Sequence, residues 1–318
     1  MPVRHFPTDL LADAEQRWLR IADDHPELAA AVDLQRVLVT RSAEVAADAE
    51  RLTRGASAAP DDLAGRLARE DAPVLDLAID ELDVERLTTP LLGFCDDFAA
   101  GGVGDPARRV RVVLERGEIE PGSLLRSSLA RQQTAIRMRA EHLGVAPDLV
   151  WLVAELTVGP IAHHLQQQAL GPSAPAELRA ATTAWRHGYC PACGSWPALA
   201  EVQGGRRHLR CSFCGADWAP AETACVYCGR ADDGFLVAAA GAVTAPERAR
   251  RVEFCRGCGG WLKQVDVPDA MPFLLLPLLD LETCDLDAAA AGRGYIRPPM
   301  RDVPTRDLPC PPPEEAVR

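Results

Sequence analysis

Eight of the eleven cysteines lie within seventy residues and form four Cys-x-x-Cys-Gly turns, which we number as knuckles one to four. Two residues between the cysteines let both sulfur atoms of a turn face one ion, and two turns supply the four thiolates of a tetrahedral site. A glycine after the second cysteine suits a backbone position with positive φ. The pattern predicts two metal ions per chain, zinc or iron, each in a four-cysteine site. The predicted ligands, in knuckle order, are Cys190 and Cys193, Cys211 and Cys214, Cys225 and Cys228, and Cys255 and Cys258.

Spacing along the chain predicts how the knuckles pair. Residues 194–210 separate the cysteines of knuckles one and two, and residues 229–254 separate those of knuckles three and four. Both separations suit a zinc-ribbon or rubredoxin-like unit, in which two short hairpins each end in a knuckle. Only residues 215–224 separate knuckles two and three. We expect one ion between knuckles one and two and another between three and four. The crossed arrangement, one with three and two with four, stays open.

Two other uses of paired cysteines fit the sequence less well. A disulfide framework is typical of secreted proteins, and residues 1–10 lack the apolar stretch of a secretory signal. Redox-active dithiols of the thioredoxin type begin a helix after a strand, whereas these four pairs lie in glycine-rich and polar turns. The pattern therefore favours a cytoplasmic metal-binding protein.

The N-terminal half has the apolar periodicity of helices. The clearest long helices are predicted at residues 127–143 and 147–170, and Pro160 should kink or divide the second. A further helix is predicted from Pro277 to Ala291, with the proline in its first turn. In the cysteine-rich region we predict three strands, at residues 199–202, 208–210 and 251–254.

These elements predict an α plus small β fold. The chain has 318 residues, 47% of them hydrophobic, which is enough for more than one domain. Residues 298–318, which are rich in proline, lack the apolar residues that a segment needs to fold independently. The predicted parts are a helical domain at 1–186, a first rubredoxin-like or zinc-ribbon unit at 187–222, a second at 223–266, a C-terminal helical segment at 267–297 and a proline-rich tail at 298–318.

Charge and hydropathy argue against two classes of partner. The net charge is −12, and residues 186–265 carry ten basic and seven acidic side chains. Two divalent ions, each held by four thiolates, would leave this region with little attraction for a phosphate backbone. The longest apolar run, Met271–Leu279, is too short to span a bilayer. We therefore expect neither nucleic-acid binding nor membrane insertion.

Several polar and aromatic residues lie next to the knuckles. The basic run Arg206–Arg210 is either a patch for nucleic acid or an acidic partner, or local compensation of the thiolate centre. The second interpretation is favoured. Trp218, Tyr227 and Trp261 are expected to cover the metal sites, although they could also anchor a partner. No motif indicates a catalytic constellation, so we expect a protein that is not an enzyme.

The knuckles and their flanking residues resemble a known family. Cys190–Pro197 (CPACGSWP) is similar to the first knuckle of the formate dehydrogenase accessory protein FdhE family, and Arg207–Cys214 with its following tryptophan is similar to the second. Knuckle three and the segment Glu253–Lys263 match the family in the same order. A DDL-like segment and a Gly-Tyr pair match further on, except that Leu279 stands where the family has an acidic residue.

The resemblance implies a cytoplasmic, non-catalytic assembly factor. It implies a helical domain joined to rubredoxin-like metal units, and binding to the catalytic subunit of a molybdenum- or tungsten-dependent formate dehydrogenase during its maturation. A zinc-ribbon module that binds nucleic acid, or proteins in general, is the alternative. An electron-transfer component with rubredoxin-like iron is a third interpretation.

Overall fold

A computed structural model describes residues 8–53, 60–70, 72–75, 82–239 and 249–299. The chain divides into two compact units. The first comprises Met1–Ala58 and Leu75–Gln168, and the second comprises Ala59–Val74 and Ala169–Arg318. No helix within the described residues combines the length and the apolar character needed to cross a membrane.

Helices dominate the first unit, and strands and short helices make up the second. The α-helices of the described residues are α1 (Thr8–Asp24), α2 (Ala29–Leu52), α3 (Pro60–Gly65), α4 (Val84–Phe98), α5 (Asp105–Glu115), α6 (Pro121–Leu129), α7 (Gln133–His142), α8 (Pro147–Leu170), α9 (Ala176–Thr183), α10 (Leu276–Glu282) and α11 (Cys284–Ala291). The strands are β1 (Leu199–Gln203), β2 (Arg206–Arg210), β3 (Asp217–Trp218), β4 (Phe235–Ala239), β5 (Arg250–Cys255) and β6 (Trp261–Asp266).

The helix predicted at 127–143 is wrong, because the chain breaks between α6 and α7. Arg131 lies in the break with a φ of 58°, a backbone conformation that residues other than glycine rarely adopt. Its guanidinium group is buried, forms an ion pair with Glu155 at 2.7 Å and lies 4.6 Å from the centre of the Trp151 ring. These contacts offset the backbone strain at Arg131. They cannot be predicted from the residues that neighbour Arg131 in the sequence.

The predicted division of the next helix is also wrong, because α8 runs through Pro160 without ending. Val158 and Ile161, on either side of this position, are both fully buried. Packing of this apolar turn holds the helix together despite the backbone hydrogen bond that proline removes.

Six strands of the second unit form one sheet in the order β3-β2-β1-β6-β5-β4. Each half is an antiparallel meander, and β1 pairs with β6 in parallel, with Ala200 opposite Gln264. The predicted strands at 199–202, 208–210 and 251–254 are confirmed as parts of β1, β2 and β5. The two ribbon units are therefore halves of a continuous sheet, and the predicted fold class is confirmed.

The C-terminal segment forms two helices where one was predicted from Pro277 to Ala291. The chain bends at Thr283, whose hydroxyl donates to the Leu279 carbonyl at 2.8 Å. The break lets both helices meet the fully buried Lys263 of β6. Its ammonium group lies 2.6 Å from the Asp280 carboxylate and 2.8 Å from that of Asp287. The acidic residues of the family-like segment thus form ion pairs with the buried Lys263 while their own side chains stay partly exposed.

The domain boundaries predicted at residues 186, 222, 266 and 297 stay a prediction. The region from 187 to 266 contributes to a single sheet, and α3 belongs by contacts to the unit that carries this sheet. The proline-rich tail lies outside the described residues from 300 onward.

Candidate metal centres

The four knuckles share one backbone geometry. In each, the glycine N–H donates to the carbonyl of the first cysteine at 2.9 Å. The N–H of that cysteine donates to the carbonyl five residues later, at 2.8 to 3.0 Å. The glycines have φ angles between 68° and 79°, a range that glycine adopts without a steric cost. The repeated Cys-x-x-Cys-Gly sequence therefore produces the same tight turn four times.

The fold brings the eight sulfur atoms together in two groups. Cluster one consists of Cys190, Cys193, Cys211 and Cys214, and cluster two consists of Cys225, Cys228, Cys255 and Cys258. Within each cluster the four sulfur atoms lie within 4.8 Å of one another. This is the sequential grouping of knuckles one with two and three with four, and the crossed grouping is not formed.

The sulfur spacing fits a tetrahedral metal site. The Cys190–Cys214 and Cys193–Cys211 sulfur pairs are 3.5 Å apart, and both nearest pairs of cluster two are 3.6 Å apart. A tetrahedron with metal–sulfur bonds of about 2.3 Å has an edge of about 3.8 Å. A disulfide bond would be about 2.05 Å long. Each cluster could therefore hold one metal ion, and the donor set suits both zinc and iron.

Burial opposes ionisation of these thiols when no cation is present. It raises the pKa values of Cys190 and Cys214 well above the ordinary thiol value. In cluster two, the facing Cys225 thiol lowers the pKa of Cys258 to about 5, while the same contact raises the pKa of Cys225. Four thiolates at neutral pH thus require a cation, which is the condition that a metal ion satisfies.

Cluster one is enclosed by the protein. Three of its cysteines are fully buried, and Cys193 is 7% exposed. A short segment of the same unit covers knuckle one: the Val74 N–H donates to the Ala192 carbonyl at 3.0 Å. A β-carbon built on Gly194 would lie 3.0 Å from Pro73, so little space is left at this surface.

Cluster two lies closer to the surface. Cys228 and Cys258 are partly exposed, whereas Cys225 and Cys255 are buried. Tyr227 lies between the two cysteines of knuckle three, and its hydroxyl donates to the Trp261 carbonyl at 2.9 Å. The Trp261 ring packs with Val252, Leu286 and Ala290. That Trp218, Tyr227 and Trp261 cover the metal sites stays a prediction.

The basic run Arg206–Arg210 is largely neutralised within the fold. Arg207 donates two hydrogen bonds to Glu253, at 2.5 and 2.6 Å. Arg210 donates to the fully buried Glu201 at 2.6 Å, and His208 lies 2.6 Å from Asp217. The expected compensation of the thiolate centre is not what these contacts show, because the partners are carboxylates of the sheet.

The sequence interpretation missed an aromatic group beside cluster two. The ring centres of Trp196 and Tyr227 are 5.2 Å apart, those of Tyr189 and Trp196 are 6.2 Å apart, and Tyr189 stacks on His187 at 4.8 Å. Only 5% of the chain is aromatic, yet residues 185–196 contain three aromatic residues and a histidine. This local concentration of rings is the sequence feature from which the aromatic group could have been predicted.

No protein-family model matches the chain. An FdhE homolog of Pseudomonas aeruginosa is 29% identical over 314 residues, which cover 93% of this chain and 90% of the relative. An FdhE homolog of Aquifex aeolicus is 31% identical over 119 residues, and the FdhE protein of Escherichia coli is 30% identical over 113. These two matches span 36% and 34% of this chain, and 40% and 35% of the respective relatives.

The fold is similar to a solved structure. The crystal structure of the FdhE protein from Pseudomonas aeruginosa superposes with a TM-score of 0.57 and 24% identity, over 93% of this chain and 96% of that one. The similarity to FdhE homologues along almost the whole sequence agrees with this shared fold. The chain is thus similar to FdhE proteins, in sequence along almost its whole length and in fold.

Proposed function

We propose that this protein is a non-catalytic accessory factor for the maturation of a molybdenum- or tungsten-dependent formate dehydrogenase, and that it binds the catalytic subunit in the cytoplasm. The observation that carries the proposal is the similarity to an FdhE homolog over 93% of the chain. The four knuckles and the segment with Lys263 and Asp287 follow the order found in the family.

Two metal ions, each held by one four-cysteine cluster, complete the proposal. The sulfur spacing of 3.5 to 3.6 Å supports ligation by all eight cysteines. A bound zinc ion would supply rigidity alone, whereas iron would add a one-electron redox couple. The chain itself supplies a sheet whose two halves each carry two knuckles, so the surface around them is held rigid before a partner arrives. A rigid surface loses little conformational entropy on binding.

Nucleic-acid binding is less well supported. Arg207 and Arg210, the two arginines best placed beside knuckle two, are engaged by Glu253 and Glu201. Their charges are therefore not available to phosphate groups without breaking ion pairs that are at least nine-tenths buried on both sides.

The proposal is tested by affinity capture from the native host combined with deletion of the gene. We expect the tagged protein to retain the formate dehydrogenase catalytic subunit and to contain two metal ions per chain. We expect the deletion to lower formate dehydrogenase activity while transcription of the catalytic subunit is unchanged.

A cysteine pair provides the matched control for this test. Complementation with Cys258→Ser, which removes a ligand of cluster two, should restore less activity than Cys284→Ser. Both cysteines are partly exposed, but Cys284 lies outside the clusters. Normal formate dehydrogenase activity in the deletion strain under formate-respiring conditions would contradict the proposed function.

A further inference from the structure

A cavity of 640 Å³ opens beside cluster two within the sheet-bearing unit. Four rings line it, those of His187, Tyr189, Trp196 and Tyr227. The indole N–H of Trp196 donates to the Pro299 carbonyl at 3.3 Å. The cavity thus offers aromatic rings in addition to aliphatic side chains such as Leu209 and Val226.

The walls of the cavity are held by close backbone contact. Gly188, in the segment that carries His187 and Tyr189, packs directly on knuckle three. A β-carbon built at this position would lie 1.9 Å from the Val226 carbonyl oxygen, so the two backbones approach as only glycine permits. The aromatic segment and the knuckle therefore form one wall, and a ligand meets a preorganised surface.

The charges around the cavity favour a cation. Arg207 lines the cavity but its charge is offset by the bidentate contact with Glu253. The two exposed ionic residues of the lining, Arg186 and Glu222, carry opposite charges. Cys225 and Cys228 also line the cavity, and four thiolates with one divalent ion carry a net charge of about −2. Loading of cluster two would therefore add negative charge to a wall on which Arg207 is paired with Glu253 and the nearby Arg230 with Asp232.

We propose that this cavity binds the cationic side chain, arginine or lysine, of an extended polypeptide segment. Aromatic faces attract such cations, and guanidinium groups also stack on the rings. The negative cluster adds an attraction that salt screens over about 10 Å. The identity of the polypeptide as the formate dehydrogenase catalytic subunit rests on the proposed function, whereas the chemistry of the cavity does not.

The test titrates the metal-loaded full-length protein with three peptides at low salt, followed by NMR. The peptides are acetyl-Ala-Ala-Arg-Ala-Ala-amide and its Gln and Glu counterparts. We expect the Arg peptide to shift the Trp196 indole resonance and to bind at least about threefold more tightly than the Gln peptide. The Glu peptide should bind most weakly.

Two variants locate the binding site. Trp196→Leu and Glu222→Gln should each weaken binding of the Arg peptide at least about twofold. Asp233→Asn is the matched control, because Asp233 is an exposed acidic residue outside the cavity lining. It should leave the affinity unchanged. Retention of two metal ions by each variant shows that the fold survives the substitution. Because Glu222 is exposed, we expect Glu222→Gln to leave the fold unchanged.

Three results would overturn the inference. These are equal affinities for the Arg and Gln peptides, tighter binding of the Glu peptide, and an Arg-peptide affinity that neither cavity variant changes. Failure of the cavity assignment can be distinguished from failure of the proposed function. Capture of the catalytic subunit without Arg-peptide binding would overturn the cavity assignment alone, and the reverse result would overturn only the proposed partner.

Discussion

The two cysteine clusters have the same ligands and the same turns but different surroundings. In cluster one, three cysteines are fully buried and Cys193 is 7% exposed, and Pro73 and Val74 lie against knuckle one. In cluster two, Cys228 and Cys258 are partly exposed. A cavity lined by aromatic rings reaches this second cluster.

This difference separates two roles that the sequence pattern alone would assign equally to both clusters. An ion in cluster one would be enclosed by protein and would stabilise the half of the sheet that contains β1, β2 and β3. An ion in cluster two would lie near solvent and near a cavity, where its charge acts on a bound partner. The local turn decides which atoms bind the metal, and the packing around the turn decides what else the site can do.

Removal of one ligand from each cluster should produce the largest difference. Structural metal binding contributes about 10 kcal/mol or more to the folding of small domains. We expect Cys193→Ser to lose one ion and to expose the amides of β1, β2 and β3, while α4 to α8 keep their protection. Cys258→Ser should lose one ion with a smaller loss of protection, because Cys228 and Cys258 are partly exposed and less of the protein packs around cluster two.

Native mass spectrometry and hydrogen exchange measure these two effects. Cys284→Ser is the control, since this cysteine belongs to neither cluster, and it should retain two ions. Equal loss of protection in Cys193→Ser and Cys258→Ser would show that the clusters do not differ in this way.

The ligand grouping was predictable because it depends on local chemistry. Cysteine spacing and the following glycine set the turn, and short separations favour pairing of neighbouring knuckles. The joined sheet was not predictable in this way. Five of the six residues of β6 are buried, so the strand has no alternation of polar and apolar residues, and its parallel contact with β1 joins residues more than sixty positions apart.

The helix breaks that the sequence did not reveal have tertiary causes. Arg131 adopts its φ of 58° beside Glu155 and Trp151, which are contributed by another helix. The bend at Thr283 accompanies the meeting of two carboxylates with the buried Lys263. Neither position has the glycine or proline that marks most breaks, so a pattern confined to neighbouring residues extends the helix through them.

Two glycine substitutions compare the surroundings of the two clusters through a smaller effect on thermal stability. Gly194 and Gly229 occupy equivalent positions in knuckles one and three, with φ angles of 79° and 74°. Alanine at either position should cost about 1 kcal/mol in backbone strain. A β-carbon at Gly194 would also press on Pro73 at 3.0 Å, whereas the space at Gly229 is open. We expect Gly194→Ala to lower the thermal unfolding midpoint more than Gly229→Ala.

The unfolding midpoints are compared in metal-loaded protein, with the ion content of each variant checked first. Equal decreases would mean that Pro73 yields without cost and that the enclosure of cluster one adds nothing at this position.

The most direct test of the account is a timed chelator challenge of the loaded protein, with the ions counted by native mass spectrometry. Iodoacetamide labelling, mapped to individual cysteines, identifies the cluster that has opened. We expect two ions per chain at the start and a one-ion species in which Cys228 and Cys258 are alkylated first. Cys190, Cys193, Cys211 and Cys214 should stay protected in that species. Fewer than two ions at the start, or first labelling in cluster one, would contradict the account.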